Sequence, residues 1–138
     1  NDCEYTEQLK ASAIRLGVND RIRWIGIKDD VLPYLGVTDI YVQPSRTEAL
    51  SLAACEALSL GIPVVGSNVG GLPEVSSILF EREDYLSMSE IINKLISDDI
   101  YLDRLSDSSK NKYEKCFRLE SSVYKYSKLY KDNVNIPN

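Results

Sequence analysis

Apolar residues recur at Leu9, Ala13, Ile14 and Leu16, one face of a helix over residues 5–16, and Gly17 supplies its stop. The next run, RIRWIG at 21–26, is β-branched and aromatic and predicts a strand ending on Gly26. Asp29 and Asp30 suit the cap of a short helix through Val31, Leu32, Tyr34 and Leu35, with Pro33 tolerated only in its first turn. DIYVQP at 39–44 reads as a second strand, stopped by Pro44. Ala49 to Leu60, rich in Ala and Leu, predicts a helix closed by Gly61. IPVVGS at 62–67 is almost continuously apolar, the mark of a strand covered on both faces. Gly70 and Gly71 make a turn before a weaker strand at Ile78–Phe80. Helical periodicity then fills about 87–97, 100–116 and 120–131, and residues 133–138 look frayed.

Strands alternating with helices at this spacing imply right-handed crossovers and a parallel sheet. The expected fold class is therefore α/β, a Rossmann-like parallel sheet with helices on both faces. Only about four strands are visible, and the first element is a helix where a doubly wound sheet begins on a strand. The reading is a single partial domain over 1–138, with further strands expected before Asn1. Its open sheet edge is expected to favour self-association.

Composition narrows the function. With 43% hydrophobic and 27% charged residues the chain resembles ordinary globular proteins. Residues 1–100 hold 8 basic and 16 acidic groups, whereas 101–138 hold 8 and 5. The acidic body argues against a phosphate-backbone binder such as a DNA-binding module. The basic tail reads as the solvated face of amphipathic helices, with contact to an anionic membrane surface left open. Cys3, Cys55 and Cys116 are odd in number and lack C-x-x-C spacing, which suits free thiols in a reducing, cytoplasmic setting. The absence of histidine excludes a His base, triad or metal ligand within the chain.

The chemistry concentrates in PSRTEALSLAACEALSLGIPVVGSNVGGLPE, residues 44–74. A helix beginning between Glu48 and Glu56 would point the backbone N–H groups of Ala49, Leu50, Ser51 and Leu52 out of its N-terminus. Aligned peptide dipoles there amount to roughly half a positive charge, which suits a diphosphate. Eight residues of helix rise about 12 Å, enough for two carboxylates to bracket such a group and reach sugar hydroxyls. A glutamate at a helix start also serves as a dipole partner, and one two turns in is commonly a solvated surface residue. Glu56, however, interrupts the apolar run of Ala53, Ala54, Cys55, Ala57 and Leu58. A carboxylate there calls for a partner, and a ligand hydroxyl is one candidate.

Taken together, this stretch resembles the signature of the retaining GT-B glycosyltransferases of the glycogen-synthase-like group, glycosyltransferase family 4. The leading Leu-Gly, RIRWIG, the Asp-rich loop, the strand led by Asp39 and the closing FRLESSVYKYSKLY are similar to that family too. The resemblance implies the C-terminal, donor-binding half of a GT-B fold. It implies that Glu48 is the catalytic residue contacting the donor sugar near the reacting carbon, and that Glu56 holds the ribose. Backbone amides of Ala49, Leu50, Ser51 and Leu52 would meet diphosphate or sugar, and Gly26–Lys28 would border the base. Three departures stand out: Ala49 and Ser51 replace the usual glycines, the Asp/Asn-Gly loop after Glu74 is lacking, and the family's diphosphate-neutralising Arg and Lys are expected upstream.

The implied activity is transfer of a hexose from a nucleotide-diphosphate sugar, such as a UDP- or GDP-sugar, to an acceptor hydroxyl. No cofactor or metal is expected, Asp29 and Asp30 reading as caps. The partner expected besides the donor is the acceptor domain of the same polypeptide, without which this chain alone is expected to be inactive. The full-length enzyme is expected in the cytoplasm or on a membrane surface. Two rival readings stand beside it: a nucleotide-sugar epimerase on the same fold, and a non-catalytic α/β binding or regulatory domain with structural glutamates.

Overall fold

The computed structural model describes residues 2–133 and divides into two compact units, residues 1–31 and 32–138. In the first unit, helix α1 (Asp2–Arg15) ends where Gly17 donates to the Ile14 carbonyl and Val18 to that of Ala13. A single 3-10 turn, Asn19–Arg21, follows. Here the structure departs from the expected strand at 21–26. Ile22 is extended (φ −108°, ψ 129°), and the Trp24 indole N–H reaches Asn19 Oδ1 at 3.4 Å, but no β-ladder forms among the described residues. Branched side chains favour extended backbone by local sterics. A strand also needs a neighbour to take its N–H and C=O groups.

The second unit is a three-stranded parallel sheet with order β1-β2-β3: Tyr41–Gln43, Val64–Ser67 and Ile78–Phe80. Tyr41 pairs with Val64, Val42 with Val65, Val65 with Ile78 and Ser67 with Phe80. The helices are α2 (Leu32–Leu35), α3 (Leu52–Ser59), α4 (Leu72–Val75), α5 (Tyr85–Ile96), α6 (Asp99–Cys116) and α7 (Leu119–Asn133). Strand alternation divides the core between two faces. Tyr41 and Val64 pack with Ala54, Ala57 and Leu58 of α3 and with Leu72 and Val75 of α4. Val42, Val65, Ile78 and Phe80 pack on the other face with Ile91 and Leu95 of α5. Helix α6 serves both, giving Leu102 and Leu105 to the second cluster and Tyr113 to the first, which its cap Phe117 joins. Helices therefore cover both faces, which explains why all four residues of β2 are buried.

Gly61 closes α3 as its sequence implied. At φ +78° it donates to the Leu58 carbonyl while Ile62 donates to Ala57, satisfying the last helical carbonyls in a conformation that disfavours a Cβ. Beyond α6, Arg118 bridges Glu114 at 2.7 Å and Glu120 at 3.1 Å, joining the ends of α6 and α7. Of the residues expected to fray, 133–138, the first ends α7 and 134–138 lie outside those described.

Leu95 is only 2% exposed and sits far along the chain from the β1–α3 loop. Leu95→Ala is expected to cost about 2–5 kcal/mol, the usual cost of emptying a leucine site. Denaturant titration checks this: the midpoint should fall while the slope stays unchanged.

Candidate functional site

Ligands of open parallel sheets bind beyond the carboxyl ends of the strands. Three loops lie there: residues 44–51 after β1, 68–71 after β2 and 81–84 after β3. The first carries Glu48, Ala49, Leu50 and Ser51 of the predicted site residues, and its course differs from the sequence expectation. Helix α3 begins at Leu52, not at Ala49. Ser51 is its cap: the side-chain oxygen accepts from the Ala54 N–H at 3.2 Å, and the Ser51 carbonyl accepts from Cys55. Ala49 and Leu50 therefore lie before the helix. The N–H groups of Leu52 and Ala53, in its first turn, have no acceptor among the described residues, and neither do those of Ala49, Leu50 and Ser51 before it.

Glu48 is half-buried and held by a polar network that sequence reasoning missed. The Tyr41 hydroxyl donates to Gln43 Oε1 at 2.6 Å, and Ser51 Oγ donates to the same oxygen at 3.3 Å. Gln43 Nε2 donates to Ser45 Oγ at 2.8 Å and to Glu48 Oε2 at 3.3 Å, while Ser45 Oγ reaches Oε2 at 3.4 Å. Both bonds to the carboxylate fall on Oε2, so Oε1 has no protein donor among the described residues. The available signal was a glutamine two positions after a tyrosine at the end of a strand. Polar side chains on one strand face meet at its carboxyl end. Burial, then the carboxylates of Glu56 and Glu48, raise the Tyr41 pKa above the ordinary tyrosine value, so both glutamates act on one hydroxyl.

Glu56 lies on the exposed side of α3 and makes no side-chain hydrogen bond or salt bridge among the described residues. The apolar run around it does not bury it, because Ala54, Cys55, Ala57 and Leu58 turn the opposite way. Its need for a partner is thus weaker than the run suggested. Leu50 and Leu52 contribute side chains to an apolar groove of about 710 Å³ with Cys55, Glu74, Phe117 and Tyr126, which leaves their backbone for any role in the loop. Cys55 is buried, and burial, then Glu56, push its thiol up, away from reactivity. Gly26 (φ +70°) and Lys28 are exposed residues of the first unit.

Gly70 and Gly71 shape the loop. A Cβ on Gly70 would land on the carbonyl of Glu48, and one on Gly71 on the carbonyl of Ala49. Gly70 also takes φ +52°. The Ser67 hydroxyl donates to the Ser45 carbonyl at 2.7 Å, fastening the same loop to the end of β2.

With the sheet and this loop in place, the class is a Rossmann-like α/β domain with its polar site at the carboxyl end of the first strand. The family model described as "Glycosyl transferases group 1" matches residues 2–112, and the chain belongs to that family. It is similar to the N-acetyl-alpha-D-glucosaminyl L-malate synthase of Bacillus anthracis, 28% identical over 85% of this chain and 32% of that protein. It is also similar to the UDP-Gal:alpha-D-GlcNAc-diphosphoundecaprenol alpha-1,3-galactosyltransferase of Escherichia coli, 30% identical over 97% of this chain and 34% of that protein. The crystal structure of Anabaena Alr3699/HepE in complex with UDP superposes with a TM-score of 0.88 at 20% identity, covering 95% of this chain and 38% of that one. The expected resemblance to GT-B glycosyltransferases and the expected fold class are both met. The chain spans about a third of the length of these relatives.

The glycine contact generates a comparison. Gly17 has a similar left-handed φ of 68°, but its Cβ would meet nothing within 4 Å. Gly17→Ala should therefore cost only the conformational strain, about 1–2 kcal/mol. Gly70→Ala should cost distinctly more, since the loop carrying Glu48 must move as well. Chemical denaturation of the two variants checks the order, and equal losses would remove the packing role assigned to Gly70.

Proposed function

We propose that this chain is the donor-binding part of a glycosyltransferase that moves a hexose from a nucleotide-diphosphate sugar to an acceptor hydroxyl, with retention at the anomeric carbon. The observation that carries the reading is the arrangement after β1. The Glu48 carboxylate is anchored through Oε2 with Oε1 open, close in sequence to two unpaired N–H groups at the start of α3. Such amides with the helix dipole suit a diphosphate. With the helix starting at Leu52, the amides of Leu52 and Ala53 carry the dipole's contribution and those of Ala49, Leu50 and Ser51 belong to the loop before it.

In this reading the diphosphate leaves with its negative charge stabilised by the helix N-terminus and by cationic groups elsewhere in the polypeptide. Preorganised stabilisation of developing charge is commonly the largest single catalytic contribution. Glu48 orients the sugar and favours positive charge at the anomeric carbon. Glu56, exposed and without a protein partner among the described residues, takes ribose hydroxyls. No side chain is assigned as a covalent nucleophile, and the reading needs no metal or cofactor. The relatives support the donor-side assignment. Their names give different acceptors, malate in one and a lipid-linked sugar in the other, yet each matches this chain over about one third of its length. A shared third suits the shared half of the reaction. UDP in the Anabaena structure and UDP-Gal in the Escherichia coli name favour a uridine nucleotide as donor carrier.

The two glutamates should separate in the complete enzyme. Glu48→Gln removes charge where the transition state develops it, so turnover should fall about a hundredfold or more while donor affinity changes little. Glu56→Gln weakens contacts to a ribose whose charge does not change. Donor KM should rise about ten- to a hundredfold, the equivalent of about 1.5–3 kcal/mol for a hydrogen bond to a charged group. Steady-state kinetics with a thermal melt of each variant make the test. Normal kinetics for both, or losses that only track stability, would leave the pair structural.

A further inference from the structure

The loops at the carboxyl end of the sheet are tied to one another in a closed ring. The β1 loop is joined to β2 by Ser67 and the Ser45 carbonyl and by the close approach of Gly70–Gly71. The β2 loop is joined to the β3 loop by Asn68 Nδ2 donating to Glu81 Oε1 at 3.0 Å. The ring closes with Arg46 Nε on Glu83 Oε1 at 2.8 Å, from the β1 loop to the β3 loop. β1 and β3 are not neighbours in the sheet, so this pair crosses above β2. Two strand spacings amount to roughly 10 Å, a span that takes two long side chains.

Glu83 is also the one non-glycine residue with positive φ, 67°, among the described residues. The turn explains the conformation. Asp84 donates its N–H to the Glu81 carbonyl at 3.0 Å, and its side chain caps α5 by accepting from Ser87 at 3.0 Å. A left-handed residue fits between them, and glycine or asparagine would take that place with less strain. A glutamate there puts a carboxylate on Arg46 instead. The pair adds little to global stability, because its side chains are 81% and 60% exposed. Its consequence is local: it restrains the segment two residues before Glu48.

We propose that Arg46 and Glu83 form a latch across the sheet end that fixes the β1–α3 loop in its ligand-binding position, which makes both positioning residues. This rests on the donor-site reading above. An exposed pair is weak, so the latch changes affinity by about fivefold at most.

The test uses the full-length polypeptide that carries this chain, with UDP binding followed by calorimetry. Three latch variants are compared: Arg46→Gln, Glu83→Asn and the exchange Arg46→Glu with Glu83→Arg. Asparagine tolerates the left-handed turn, so Glu83→Asn removes the charge without adding strain. The single variants should each weaken UDP about three- to fivefold with Tm within about 2 °C of the parent. Arg46→Gln combined with Glu83→Asn should lose no more than either alone, and the exchanged pair should regain most of the affinity. Additive losses, or no recovery on exchange, would overturn the latch. So would a loss on Arg46→Gln with none on Glu83→Asn, because Arg46 would then meet the phosphates itself. Glu56→Gln run alongside separates the two levels: if it leaves UDP binding unchanged, the donor-site reading fails whatever the latch variants do.

Discussion

The backbone of Gly70–Gly71 lies directly on the backbone of Glu48–Ala49, at a separation that leaves no room for a side chain. Two loops at the ends of adjacent parallel strands are thereby brought to backbone contact. The path of the segment from Pro44 to Ser51 follows from that contact. It runs along this surface outside the helix, and α3 starts after Ser51, whose hydroxyl satisfies the Ala54 N–H. The same path brings Glu48 over the end of β1, within reach of Gln43 and Ser45. Site and scaffold are thus one construction, with the sheet fixing the strand ends and the glycines fixing the loop between them.

The polar network beneath Glu48 extends this logic to electrostatics. A half-buried carboxylate needs donors, and Gln43 and Ser45 supply them to one oxygen only. Tyr41 and Ser51 in turn hold the Gln43 amide from its other end, so the carboxylate is oriented by groups that are themselves fixed. Preorganisation of this kind is what a charge-stabilising site requires, since a carboxylate free to rotate would lose part of its effect in reorientation. Glu56 has no such support among the described residues.

Much of this was legible in the sequence. The apolar run at 62–67 announced a strand buried on both faces, and Gly61 marked the end of α3 correctly. Local chemistry misled in two places. RIRWIG has every local mark of a strand, yet pairing is a property of neighbours, and no strand pairs with it among the described residues. Ala49 and Leu50 are strong helix formers, yet the glycine contact and the Ser51 cap outweigh a propensity of a few tenths of a kcal/mol per residue. The Tyr41–Gln43–Glu48 chain carried a faint signal in its spacing. The Arg46–Glu83 pair carried none, because residues so distant in sequence meet only once three strands are assembled.

If the β1–α3 loop and the glycines beneath it form the nucleotide-diphosphate site, UDP must perturb their amides. Amide chemical-shift mapping of this chain with UDP tests it most directly. The largest shifts are expected on Glu48 to Ala54 and on Gly70 and Gly71, with the apolar groove at Phe117 and Tyr126 little changed. Shifts confined to that groove or to α7, or a loop left silent at millimolar UDP, would contradict it.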